Sequence, residues 1–146
     1  MEKYTSEITT IPAAIEQVYD VLGNMHSLDR VRNLIPEDKV QDLEIGDDYV
    51  RMKVDGLGQK ICIRTVEKSL RDGQATIKFG GENIPVEVNF WIQLISLSDT
   101  MTRCRLTLGA EIPMMFRMML GSKIQKGLDD GARMLTQFPY AQWLQM

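Results

Sequence analysis

Apolar positions along this chain of 146 residues change their period twice. Residues 2–11, EKYTSEITTI, are rich in Thr, Tyr and Ile and end at Pro12, a pattern that predicts one strand. From Pro12 the spacing turns helical: Ile15, Val18, Tyr19 and Leu22 fall at i, i+3, i+4 and i+7, with Pro in the first turn and Gly23-Asn24 as the stop. A second short helix can be drawn through Leu28, Val31, Leu34 and Ile35, ending before Pro36.

The stretch from about residue 40 to 112 reads as antiparallel strands joined by tight turns. In YVRMKVD, Val50, Met52 and Val54 alternate with Arg51, Lys53 and Asp55, so one face is apolar and the other wet. ATIKF sets Ala75, Ile77 and Phe79 against Thr76 and Lys78. VEVNFWIQL puts Val86, Val88, Phe90, Ile92 and Leu94 on one face, and RCRLTLGAEI continues with Cys104, Leu106, Leu108, Ala110 and Ile112. In KICIRTVEKSL the parity of Ile61 and Ile63 differs from that of Val66 and Leu70, which predicts a bulge. Clusters at 46–48, 55–58, 71–73, 80–83 and 98–99 supply the turns. A sheet with one apolar face must bury it, and the remaining long helix is C-terminal, from Pro113 to Phe138. There Ile124, Leu128 and Leu135 form a stripe opposite Lys123, Lys126 and Arg133. Gly121, Gly127 and Gly131 each cost a helix about 1 kcal/mol, which predicts either a close approach of helix to sheet or a groove.

Order and local sequence together resemble the START-like, polyketide cyclase-dehydrase-like (SRPBCC) superfamily. ITTIPAAIEQVYDVLGNMHSLDRV is similar to its strand, I-P-A, V-Y-x-x-L helix and short second helix, and GAEIPMMFRMMLGSKIQKGLDDGARML to its apolar, glycine-interrupted last helix. The resemblance covers nearly the whole chain and implies a single domain, 1–146, of α+β class. Its helix-grip fold has two short helices after the first strand and a curved antiparallel sheet of about seven strands wrapped on a long C-terminal helix.

The same resemblance implies a cavity between sheet and helix that holds a small hydrophobic ligand such as a lipid, fatty acid or polyketide-like compound. Its expected lining is Met52, Val54, Phe79, Val88, Phe90, Ile92, Leu106 and Leu108, with residues 55–58, 80–84 and 112–120 at the mouth. Residues 114–119 stand out, because Met114, Met115, Phe116, Met118 and Met119 are interrupted only by Arg117. On one straight helix Met115 and Met119 fall with the lysines while Arg117 falls in the apolar stripe. A new helix start at Ser122, with Gln125 three residues on, would free 114–120 as a lid. Ordinary core packing is the alternative for these flexible side chains. Arg117 either reaches solvent or meets a ligand carboxylate.

Composition removes other classes. A net charge of -3, with Lys and Arg dispersed, gives no footprint for nucleic acid. The longest apolar run, IPMMF, is far short of a bilayer span, and the N-terminus has no signal pattern, so no stable membrane insertion and a cytoplasmic location are expected. Cys62 and Cys104 lie in strand-like runs without Cys or His at ligand spacing and read as buried thiols, with no metal. No residue pattern requires a cofactor. His26, the single histidine, with Ser27 and Asp29 makes no catalytic triad, and the pairs Asp47-Asp48 and Asp129-Asp130 read as solvated surface.

No catalytic constellation is visible, so whether the protein is an enzyme stays open. The resemblance allows a cyclase/dehydratase, for which Tyr4, Arg64 and Arg117 are the candidate inward groups. A third reading is an interaction module, using Trp91 on the outer sheet or the tail QFPYAQWLQM with Tyr140 and Trp143; a homodimer or other protein partner remains compatible with it.

Overall fold

A computed structural model describes residues 1–30, 38, 40–54 and 59–140. Among these residues eight strands form one antiparallel sheet: β1 (Glu2–Thr5), β2 (Thr9–Ile11), β3 (Val40–Ile45), β4 (Tyr49–Val54), β5 (Lys60–Arg71), β6 (Gln74–Glu82), β7 (Val88–Ser98) and β8 (Met101–Ala110). Their order is β1-β8-β7-β6-β5-β4-β3, with β2 also on β8. Two α-helices, α1 (Ile15–Leu22) and α2 (Met114–Leu135), and a 3₁₀ helix (Met25–Arg30) pack on it. This is the α+β order implied by the resemblance. Among the described residues no helix is long and apolar enough to cross a membrane.

The N-terminal strand departs from expectation by splitting in two. Thr5 pairs with Thr107 and Thr9 with Cys104, so four steps along the first segment face three along β8. The surplus is taken up at Ser6, whose backbone N–H donates to the Leu106 carbonyl while its hydroxyl oxygen accepts the Leu106 N–H at 2.9 Å. α1 begins at Ile15, later than Pro12, because the Ala13 N–H turns back to the Ile11 carbonyl, Ala14 is extended, and the buried Thr102 hydroxyl donates to the Ala13 carbonyl at 2.8 Å. Ile15, Val18 and Val21 then face the sheet, and Gly23 closes the helix by donating to the Tyr19 carbonyl. The second helix is a 3₁₀ turn set earlier than the pattern through Leu28 suggested, and residues 31–37 lie outside those described.

The expected bulge in β5 is present, between Thr65 and Glu67 in the register with β6. The β5–β6 hairpin turns through Asp72 and Gly73, both at positive φ (53° and 74°), the two-residue geometry that matches strand twist. β3 was not separable in the sequence, since a register shift between Gln41 and Glu44, with Asp42 at φ 55°, breaks its alternation. β7 starts at Val88 and runs on to Ser98, and β6 extends through Glu82 into the stretch expected as a loop.

The core lies between the helices and the inner row of β6, β7 and β8. Ile77, Ile92, Leu94, Cys104 and Leu106 meet Ile11, Ile15, Val18 and Val21 from one side and Leu128, Ala132 and Tyr140 from the other. Burial pushes the Cys104 thiol up to about 12, so it is an inert packing group. Cys62 is buried too, on the non-adjacent β5, and both cysteines are free.

α2 is one uninterrupted helix, so the expected break at Gly121-Ser122 is absent. Its phase is fixed by Leu128 and Ala132, buried against the sheet. Its flank is clamped to the β1–β2 connection by three residues four apart. Gln125 donates to the Thr5 carbonyl (2.6 Å), Asp129 accepts the Glu7 N–H (2.7 Å), and Arg133 pairs with the Glu7 carboxylate (2.6 Å). Asp129 is therefore a structural acceptor, not idle surface.

The glycines of α2 divide by environment. A Cβ on Gly131 would lie 3.5 Å from Leu106, and one on Gly121 would lie 3.7 Å from the Tyr4 ring, both ordinary contacts of a closely seated helix. A Cβ on Gly127 would meet nothing within 4 Å. Gly127 thus carries the helix penalty without a packing return. Gly127→Ala should stabilise the protein by about 1 kcal/mol and raise Tm by roughly 3 °C in a thermal melt, an unchanged or lower Tm disproving this account.

Candidate ligand cavity

The helices cover the sheet unevenly. α2 packs on β1, β2 and β8, and α1 on β6, β7 and β8, which leaves the inner rows of β4 and β5 without an α-helical partner of comparable contact. The space left over is a cavity of about 450 Å³. Its floor is Val50, Met52, Ile63, Phe79, Phe90 and Ile92 from four strands. One wall comes from Val21 and Leu22 of α1 with Asn24, Met25, Ser27 and Leu28 of the following segment, and the other from Leu135 and Phe138 at the end of α2. Paired across β6 and β7, Phe79 and Phe90 set their rings 6.1 Å apart and tilted by 35°.

Chemically the lining is almost bare of polarity. Among the described residues that form it no side chain is charged, and only Asn24 and Ser27 are polar. The Asn24 side-chain oxygen accepts the His26 N–H at 3.0 Å, and the Ser27 hydroxyl proton goes to the Val21 carbonyl at 2.6 Å. What remains for a guest is the Asn24 amide N–H and a Ser27 lone pair, both on the wall away from the sheet. No group of three His, Cys, Asp or Glu side chains among the described residues is placed to hold a metal.

Of the residues expected to line the cavity, Met52, Phe79, Phe90 and Ile92 do so. Val54 and Val88 sit at the ends of β4 and β7 outside it, and Leu106 and Leu108 pack in or against the core, with Leu106 beneath α2. Met114, Met115, Met118 and Met119 are neither lid nor core. The continuous helix carries them into solvent, with Met118 93 % exposed. Arg117 does not reach the cavity: its Nε donates to the Ile112 carbonyl and its guanidinium pairs with Glu2 at 3.0 Å. Arg64 is tied to Asp48 and Glu82 at the surface, and Tyr4 lies beside Gly121. Neither lines the cavity. Residues 55–58, expected at the mouth, lie outside the described residues, as does Trp143.

The contribution of residues 21–28 was not legible in the sequence: Leu22 and Leu28 stood in helical patterns, but nothing local marks a 3₁₀ turn as a cavity wall. That turn is tied to the β3–β4 turn by His26, whose Nε2 lies 2.8 Å from Asp47 Oδ1, with Asp29 3.8 Å from Nδ1. The hydrogen bond to Asp47 raises the His26 pKa above its ordinary 6.5, against a smaller opposing effect of desolvation. Trp91 is held on the outer face between Lys3 and Lys78, with ammonium groups 5.3 and 5.5 Å from the ring.

No protein-family model and no curated protein matches the chain in sequence. Solved structures do match in fold. A truncated norcoclaurine synthase from Thalictrum flavum superposes with TM-score 0.68 at 11 % identity, over 92 % of this chain and 90 % of that one. A conserved protein from Geobacillus kaustophilus gives 0.60 at 19 % identity, covering 96 % and 95 %. The di-domain ARO/CYC BexL from the BE-7585A biosynthetic pathway gives 0.58 at 15 % identity, covering 93 % of this chain and 44 % of that one. The chain shares the helix-grip fold of these proteins.

Because the folded pKa of His26 lies above the unfolded 6.5, the His26–Asp47 link contributes fully below that pH and is lost as pH rises through the folded value. The single imidazole makes this directly readable by NMR titration. Its pKa should exceed 6.5 in the native protein and return toward 6.5 in Asp47→Asn; an equal pKa in both would remove the link.

Proposed function

We propose that the protein binds a small, uncharged, largely apolar molecule in the cavity between β4–β7 and the segment 21–28. The carrying observation is the lining itself, fourteen residues of which twelve are apolar and none charged. A neutral lipid-like or polyketide-like guest would gain its free energy from burying apolar area, about 25 cal/mol per Å². Its volume class suits a space of about 450 Å³, within the usual range for small-molecule sites. The residual hydrogen-bonding capacity at Asn24 and Ser27 favours a guest with a neutral oxygen at one end, and a carboxylate would find no counter-charge there.

Two features of the fold neighbours support this reading. Norcoclaurine synthase has been solved in complex with dopamine and hydroxybenzaldehyde, so the same architecture accommodates small organic molecules in that protein, and BexL is an ARO/CYC protein of a biosynthetic pathway. Catalysis of the cyclase/dehydratase kind is less well supported, because it needs a titratable group in the cavity and Tyr4, Arg64 and Arg117 are all elsewhere. An interaction module, with Trp91 and Trp143 exposed over a collapsed cavity, has less support: the cavity is open and Trp91 is half-buried between two lysines, while Trp143 lies outside the described residues.

Native mass spectrometry of the purified protein, followed by organic extraction, tests the proposal. We expect a co-purifying apolar molecule, or uptake of the neutral probe N-phenyl-1-naphthylamine with enhanced fluorescence. Ile63→Trp, which grows a floor residue into the space, should cut probe uptake at least tenfold while Ile95→Trp on the outer surface leaves it unchanged. A clean apo mass with no uptake by the native protein would reject the reading.

A further inference from the structure

The first two turns of α2 expose more apolar surface than a soluble protein leaves without purpose. Met115, Met118 and Met119 are 76 %, 93 % and 65 % exposed, and Met114, Phe116 and Leu120 are exposed beside them. Arg117, the one charge in the run, is turned away to Glu2. The patch is convex, because a helix back has no groove, and it is made of unbranched side chains that need no shaped pocket opposite.

Charge continues the pattern along the same helix. Met115, Met119, Lys123 and Lys126 recur at i, i+4, i+8 and i+11, which stacks them on the side opposite the buried Leu128 and Ala132. Between residues 112 and 128 every charged side chain is basic. Lys123 and Lys126 are exposed and have no ion-pair partner among the described residues. An apolar cap followed by cations on one helix face is the arrangement that lies in a lipid–water interface, with methionines among the acyl chains and ammonium groups at the headgroups.

We propose that the N-terminal half of α2 makes a peripheral contact with an anionic lipid surface. A second copy of the chain fits less well, since two-fold pairing of this segment would bring its lysines against a stretch that offers no carboxylate between residues 112 and 128. The contact is peripheral and spans nothing, as the apolar run is only seven residues long, 114–120, with Arg117 inside it. It rests on the exposed face alone and stands whether or not the cavity holds a guest.

Flotation of the full chain with vesicles tests it. The protein should float with equimolar phosphatidylcholine–phosphatidylglycerol vesicles, remain behind with phosphatidylcholine alone, and be released by raised salt. Lys123→Gln with Lys126→Gln should weaken vesicle affinity about fivefold per lysine, and Met115→Gln, Met118→Gln and Met119→Gln together should abolish flotation. All five positions are exposed, so circular dichroism melts of both variants should match the parent. No flotation, equal flotation with both lipids, or flotation unchanged in the triple methionine variant would overturn the proposal. So would a concentration-dependent dimer that the triple variant dissolves, which would give the face to a second copy, or saturable binding to an acidic protein without any vesicle binding.

Discussion

Everything in this molecule follows from the seating of α2 against β8. Ala132 is fully buried, Gly131 lies over Leu106 with room for no more than a small side chain in ordinary contact, and Leu128 is buried one turn earlier. Once those contacts are made, the clamp from Gln125, Asp129 and Arg133 to residues 5–7 fixes the helix over β1, β2 and β8. A helix held there cannot also cover β4 and β5. The cavity is the geometric remainder of that choice, and its apolar floor is the part of the inner sheet that α2 does not reach.

An apolar space of this size has an energetic consequence. Because the space is open, its apolar lining stays in contact with water and forgoes the free energy that burial would return, about 25 cal/mol per Å². Water is a poor occupant, because an ordered water needs two to four polar partners and the lining supplies only Asn24 and Ser27. An apolar guest resolves both difficulties. The same reasoning explains the pronounced asymmetry between the lining and the outer face, where Arg64, Arg51 and Lys78 engage aromatic rings or carboxylates.

Much of the fold was legible because strand alternation is a local signal. Val50 and Met52, Ile77 and Phe79, and Phe90 and Ile92 announced the inner face of their strands from two-residue periodicity alone. Where alternation was broken the reading failed: β3 is disguised by the shift at Gln41–Glu44, and the first strand by the surplus residue at Ser6. The cavity was harder to read, since its position depends on where one helix lands on the sheet. That is decided by long-range contacts such as Ala132 with the core and Gln125 with Thr5, separated by 120 positions. Leu106 and Phe90 share one apolar face, yet one is roofed by α2 and the other is open to the cavity.

The methionine segment shows how a correct local observation can lead to the wrong place. Helical phase put Met115 and Met119 beside the lysines and Arg117 in the apolar stripe, a conflict that seemed to require a break at Gly121. Instead Arg117 leaves the stripe for Glu2 at the sheet edge, and the helix continues unbroken. The price is an apolar face left in solvent. At 1.5 Å per residue, Met115 and Leu135 stand about 30 Å apart along the axis, so the methionine face and the cavity occupy opposite ends of one helix. Adhesion at the first end therefore does not press the cavity wall against the surface, and the two properties are physically separable. Coupling between them would have to pass through α2 as a rigid lever pivoting on Ala132, which the clamps at Thr5 and Glu7 oppose.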